Sequence, residues 1–152
     1  MLFSLHLVYQ IKEVFQVKKG LIVIDVQDDY FEGGAMPLFE PNEALKNAIR
    51  VQRDFREKQL PIFYVQHAGT PEAGFLVEGT EGAEIHAGLL PIADENEFIV
   101  RKTTPNSFFE TDLAEKLAEA GVEQVVIVGM MMRVQDPMLY LMGRKRVRKI
   151  CR

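Results

Sequence analysis

Apolar residues gather along this chain in four short uninterrupted runs: Leu21-Ile22-Val23-Ile24, Ile62-Phe63-Tyr64-Val65, Phe98-Ile99-Val100 and Val125-Val126-Ile127-Val128. A run without polar alternates fits a strand covered on both faces, as in a parallel sheet. Extended to the flanking turn residues, the runs predict strands near 21–26, 62–66, 97–100 and 125–129. Between them the period changes. Ala44, Leu45, Ala48, Ile49, Gln52 and Phe55 line one side of a helix expected over 42–58, with Asn42 as its N-cap. Leu113, Ala114, Leu117 and Ala118 mark a second helix, capped by Thr111 and ended by Gly121. Strands separated by helices require crossover connections, so the expected architecture is a three-layer α/β domain around a doubly wound parallel sheet. The stretch 68–96, with five glycines and two prolines, reads mostly as loop.

Open sheets of this kind bind ligands beyond the carboxyl ends of their strands. Three predicted strand ends deliver chemical groups there: Asp25, His67 and Lys102. An acid where a buried strand emerges must be paired, hydrogen-bonded or used. The plainer reading of Asp25 is a helix cap or a salt-bridged surface acid. An acid and a lysine on neighbouring ends suit nucleophile activation: the carboxylate takes the proton and the ammonium steadies developing negative charge. The strand ending at Gly129 is where such a nucleophile is expected.

The bulk composition narrows the alternatives. At 152 residues the chain suits a single domain with a real core. A net charge of -4 offers no electrostatic case for nucleic acid, and no apolar stretch reaches membrane-spanning length. The lone cysteine, Cys151, excludes an internal disulfide and suits a cytoplasmic protein. Residues 1–17 form an apolar-rich extension in which Leu7, Ile11, Val14 and Phe15 could make one helical face; a docking helix and a disordered extension both fit.

The segments Leu21–Phe31, Tyr64–His67, Gly79–His86, Arg101-Lys102 with Ser107-Phe108, and Val126–Met131 together resemble the isochorismatase-like cysteine hydrolases, which include isochorismatases, nicotinamidases and N-carbamoyl amidases. The resemblance implies a hydrolase domain over 18–131 and a six-stranded parallel sheet with the first strand between the second and fourth. It also implies an Asp-Lys-Cys triad acting on a small amide or enol-ether substrate. Asp25 and Lys102 match the aspartate and lysine. Gly129-Met130-Met131 matches a turn with a non-proline cis peptide whose N–H groups form the oxyanion hole. Phe31, His67, Met130 and Met131 are the expected pocket residues, and a homo-oligomer is the expected assembly.

The resemblance fails where the cysteine belongs. The chain continues Met132-Arg133-Val134-Gln135, and Gln135 stands near the cysteine position. Residues 132–152 form a basic tail, with seven Lys or Arg between Arg133 and Arg152 and Asp136 as its only acid. Another reading frame over these codons can spell Asp-Ala-Cys, which points to a frameshift and a truncated sheet. A charged tail that is simply solvated, or that binds an acidic partner, is the alternative. The expectation is a chain inactive as written, or else a non-catalytic binding or assembly protein on a hydrolase fold. No cofactor or metal is expected. His67 and His86 come from a strand end and a distant loop, and Val65 stands where the nicotinamidase branch has a metal-binding aspartate.

Overall fold

The computed structural model describes residues 17–93 and 96–131, and the backbone of 148–149. Five strands form one sheet: β1 (Lys19–Ile24), β2 (Ile62–His67), β3 (Glu97–Lys102), β4 (Gln124–Gly129) and β5 (Arg148–Lys149). The order is β3-β2-β1-β4-β5 and every pairing is parallel, with Leu21 beside Ile62 and Val126, and His67 beside Lys102. The first strand therefore lies between the second and fourth, as expected.

Alternation along β1 sends Leu21 and Val23 to one face and Ile22 to the other. The first face packs on helix α1 (Pro41–Glu57) through Leu45, Ala48 and Phe55. The second packs on helix α2 (Leu113–Glu119) through Leu113 and Leu117, with Phe63 stacked on Phe98 at 5.1 Å between ring centroids. Helices on both faces explain why the strands read as continuous apolar runs. The layers are α/β/α.

Several elements differ from the sequence expectation: β1 runs Lys19–Ile24 and not 21–26, and Asp112, not Thr111, stands at the N-cap of α2. Helix α1 starts at Pro41, not at an Asn42 cap, because proline suits the first helical turn and the left-handed Glu40 (φ +47) turns the chain into it. The strand at 125–129 is not an edge among the described residues, since Val126 and Ile127 pair with Arg148 and Lys149. Backbone ladders need only an extended partner, whatever its side chains, so this pairing leaves no apolar signature. The amphipathic face at Leu7–Phe15 and the tail residues 132–147 lie outside the described residues. Among its described residues the 68–96 stretch carries three short 3-10 turns, at Pro71–Ala73, Glu81–Ala83 and Ala87–Leu89.

Phe63 is fully buried, so Phe63→Ala removes a ring from the α2 face and leaves a cavity. The expected loss is about 3–5 kcal/mol, read as a lower urea midpoint with an unchanged slope.

Candidate active site

β1 leaves the sheet at a strained residue. Asp25 takes a left-handed backbone, φ +54, which costs a non-glycine residue on the order of 1 kcal/mol and is tolerated best by Asp and Asn. Its N–H still donates to the Val65 carbonyl at 3.0 Å, so the break falls immediately after it. On the other side of β1, the Met130 N–H donates to the Ile24 carbonyl at 3.0 Å. The chains approach so closely there that a Cβ on Gly129 would strike the Ile24 carbonyl. Only glycine allows β4 to end against β1 in this way.

Beyond these ends, Lys102 Nζ meets Asp25 Oδ2 at 2.8 Å, with the two side chains 2% and 13% exposed. The same ammonium lies 3.3 Å from the Pro105 carbonyl and 3.4 Å from Ser107 Oγ. Three acceptors match its three protons. Asp25 Oδ1, in contrast, is buried without a hydrogen-bond partner among the described residues. Burial pushes the Asp25 carboxyl above its ordinary range, opposed first by Lys102 and more weakly by His67. His67 is half-buried, and burial holds its imidazole below the usual value; Asp25 pulls it up and Lys102 pushes it down.

The expected pocket residues differ in their surroundings. Phe31 is packed in the α1-side core, with its ring 4.1 Å from the His86 ring. Met130 is also a core residue, whereas Met131 is 44% exposed. His86 Nδ1 accepts from the Gly88 N–H, which ties it to its own loop. The Gly129–Met131 turn departs from the implied geometry. No described peptide bond is cis; instead Met131 adopts φ +52, and the β1–β4 ladder runs on to engage the Met130 N–H. That N–H is therefore not free to serve an oxyanion.

Sequence reasoning passed over three buried polar residues that organise the rim: Gln27, Asp29 and Gln66. Asp29 Oδ1 accepts from the Ala35 N–H at 2.9 Å and Oδ2 from the Leu76 N–H at 2.5 Å, joining two loops. A side chain at Gly82 would run into that carboxylate. Gln27 and Gln66 both donate to the Ala83 carbonyl, at 2.6 and 2.8 Å. The signal was present in Asp25, Gln27 and Asp29, polar residues spaced by two after an apolar strand. Among the described residues no cluster of three or more His, Cys, Asp or Glu could hold a metal ion, and no helix is long and apolar enough to cross a membrane.

Residues 19–134 match the Isochorismatase domain family. The chain belongs to the isochorismatase family. An uncharacterized isochorismatase family protein of Bacillus subtilis is 46% identical over 74% of this chain and 62% of its own. A secreted isochorismatase effector of Verticillium dahliae is 33% identical over 75% of this chain and 58% of its own. This isochorismatase-family chain thus spans about three-fifths of the length of these curated relatives. Among solved structures, an isochorismatase from Pseudomonas putida superposes with a TM-score of 0.76 at 25% identity, covering 93% of this chain and 75% of that one.

Two expected outcomes follow from the geometry. Lys102→Met strands a buried carboxylate and should lower stability by about 3–5 kcal/mol, whereas the double variant Asp25→Leu with Lys102→Met should recover most of the loss. Additive losses in that cycle would show that the two side chains are not coupled. For His67, the folded midpoint lies below its unfolded value of 6.5. Its contribution is therefore complete above pH 6.5 and is lost as pH falls through the depressed midpoint. Denaturant titrations of the wild type and His67→Gln across that window should show the wild type losing relative stability as pH drops.

Proposed function

We propose that this chain carries the small-molecule site of an isochorismatase-family hydrolase at the carboxyl rim of its sheet, and that as written it cannot cleave amides through a thiol. The observation that carries this reading is the buried Asp25–Lys102 pair. One carboxylate oxygen is held by the ammonium and the other is unpartnered among the described residues. A carboxylate so arranged suits proton transfer with a nucleophile. The family resemblance puts a cysteine shortly after β4, yet the chain has Gln135 near that position and its only cysteine at Cys151. A carboxamide is no nucleophile. Without covalent catalysis, binding and charge stabilisation remain, an effect of about 10³–10⁴ over water in a well-studied triad enzyme. On a slow amide hydrolysis that is close to background. Asp25 and Lys102 then serve as a neutralised pair at the rim, with His67 beside them.

A second reading rests on the raised Asp25 carboxyl. A carboxyl that burial makes a weaker acid than usual is suited to deliver a proton, and an enol ether hydrolyses by protonation at carbon without a thiol. A non-catalytic binding or assembly role on the same fold is the remaining alternative. A reducing, cytoplasmic setting agrees with the single cysteine. A homo-oligomer agrees with exposed Leu90, Ile92 and Ile99.

Purified protein of this sequence is expected to turn over nicotinamide, an N-carbamoyl amide and isochorismate at background rates, unchanged by Asp25→Ala. Amide turnover that Asp25→Ala abolishes overturns the proposal. Asp25-dependent turnover of isochorismate alone moves the function to the general-acid reading.

A further inference from the structure

We infer that Gln27 is the positioning residue of this rim: its carboxamide replaces the strand that Asp25 abandons, and so fixes where His67 stands relative to the Asp25–Lys102 pair. The inference rests on reading this rim as the functional site, but its test measures geometry and not turnover.

β1 and β2 are parallel with Leu21 beside Ile62 and Ile24 beside Val65. The main-chain bonds reach Asp25, whose N–H donates to the Val65 carbonyl at 3.0 Å. In a continuing parallel ladder, the His67 N–H would next donate to the carbonyl of residue 25, and the N–H of residue 27 would donate to the His67 carbonyl. The left-handed backbone of Asp25 turns the chain out of the sheet before either bond can form. Gln27 supplies both from its side chain. Its Oε1 accepts from the His67 N–H at 2.9 Å, and its Nε2 donates to the His67 carbonyl at 2.8 Å. The other Nε2 proton goes to the Ala83 carbonyl at 2.6 Å. All three positions of the carboxamide are engaged, and the residue is 0% exposed.

The main chain is thereby released for other use. Gln27 forms an antiparallel bridge with Ile85, the His86 N–H donates to the Val26 carbonyl at 2.9 Å, and the Asp28 N–H donates to the Glu84 carbonyl at 3.1 Å. Gln27 therefore completes the β1-facing side of β2 and docks the 81–86 loop. The charged neighbours acting on the His67 ring are Asp25 from the end of β1 and Lys102 from β3. Gln27 alters that environment only by setting the position of the His67 backbone. A leucine of similar size would leave the His67 N–H and carbonyl unpaired beside a strained Asp25.

Hydrogen exchange on the unaltered protein tests the clamp directly. The His67 N–H should exchange about as slowly as the Val65 N–H, which lies within the β1–β2 ladder. Exchange as fast as that of an unprotected peptide amide overturns the inference. In Gln27→Leu, the His67 ring is expected to gain solvent, and its NMR titration midpoint, assigned against His67→Gln, should rise by about half a pH unit, roughly threefold in its protonation constant. A folded Gln27→Leu protein with lowered melting temperature and an unmoved His67 midpoint leaves Gln27 a plain structural residue and overturns the inference. If Gln27→Leu does not fold, Gln27→Glu decides. Its neutral acid keeps one acceptor and one donor, so its melting temperature should climb relative to wild type as pH falls; a constant difference overturns the inference.

Discussion

The ion pair between Asp25 and Lys102 joins strands that are not neighbours, since β2 lies between β1 and β3. With strands about 4.8 Å apart, the two backbones are separated by roughly 10 Å, a gap that a long lysine side chain can bridge and a shorter cation cannot. The bridge also passes the end of β2, where His67 sits in register with Lys102. Its geometry holds only if three strands stop at the same height. Left-handed Asp25, Gly129 pressed against Ile24, and the Pro105–Ser107 turn beside the ammonium are the local devices that stop them there.

Such a pair does little for net stability. Removing both ions from water costs about as much as their attraction returns, and the raised Asp25 carboxyl is a direct expression of that balance. Its consequence is chemical. The ammonium is saturated by three acceptors, while half of the carboxylate has no partner among the described residues. A buried acceptor left over beside a fixed positive charge is a feature of a proton-handling or ligand-holding site, whether or not a nucleophile stands next to it.

The loops around the pair are held by buried side chains acting as backbone. Asp29 receives two loop N–H groups, Gln27 completes a strand, and Gln66 shares the Ala83 carbonyl with Gln27. Loops that cross a protein surface without regular structure leave many peptide groups unpaired, and short polar side chains of defined reach are the economical way to satisfy them. This explains how the described residues 68–93, with five glycines, keep a defined course.

The sequence alone determined the layers, the four long strands, their parallel sense and the placing of Asp25, His67 and Lys102 at one rim. Each of these follows from local periodicity or from the rule that parallel strands need crossovers. The family was legible in the same segments, and so was the absence of a cysteine near Gln135. Tertiary structure alone decided the rest. That Asp25 reaches Lys102 across β2, that Phe31 and Met130 turn into the core while Met131 turns out, and that Met130 joins the ladder all depend on how strand ends meet in space. The pairing of Arg148–Lys149 with β4 was equally hidden, because a backbone ladder is indifferent to side chains. Gln27 is the sharpest case. A glutamine two residues past a strand reads as an ordinary polar residue, and its role appears only once the left-handed turn at Asp25 leaves two peptide groups of His67 in need of a partner.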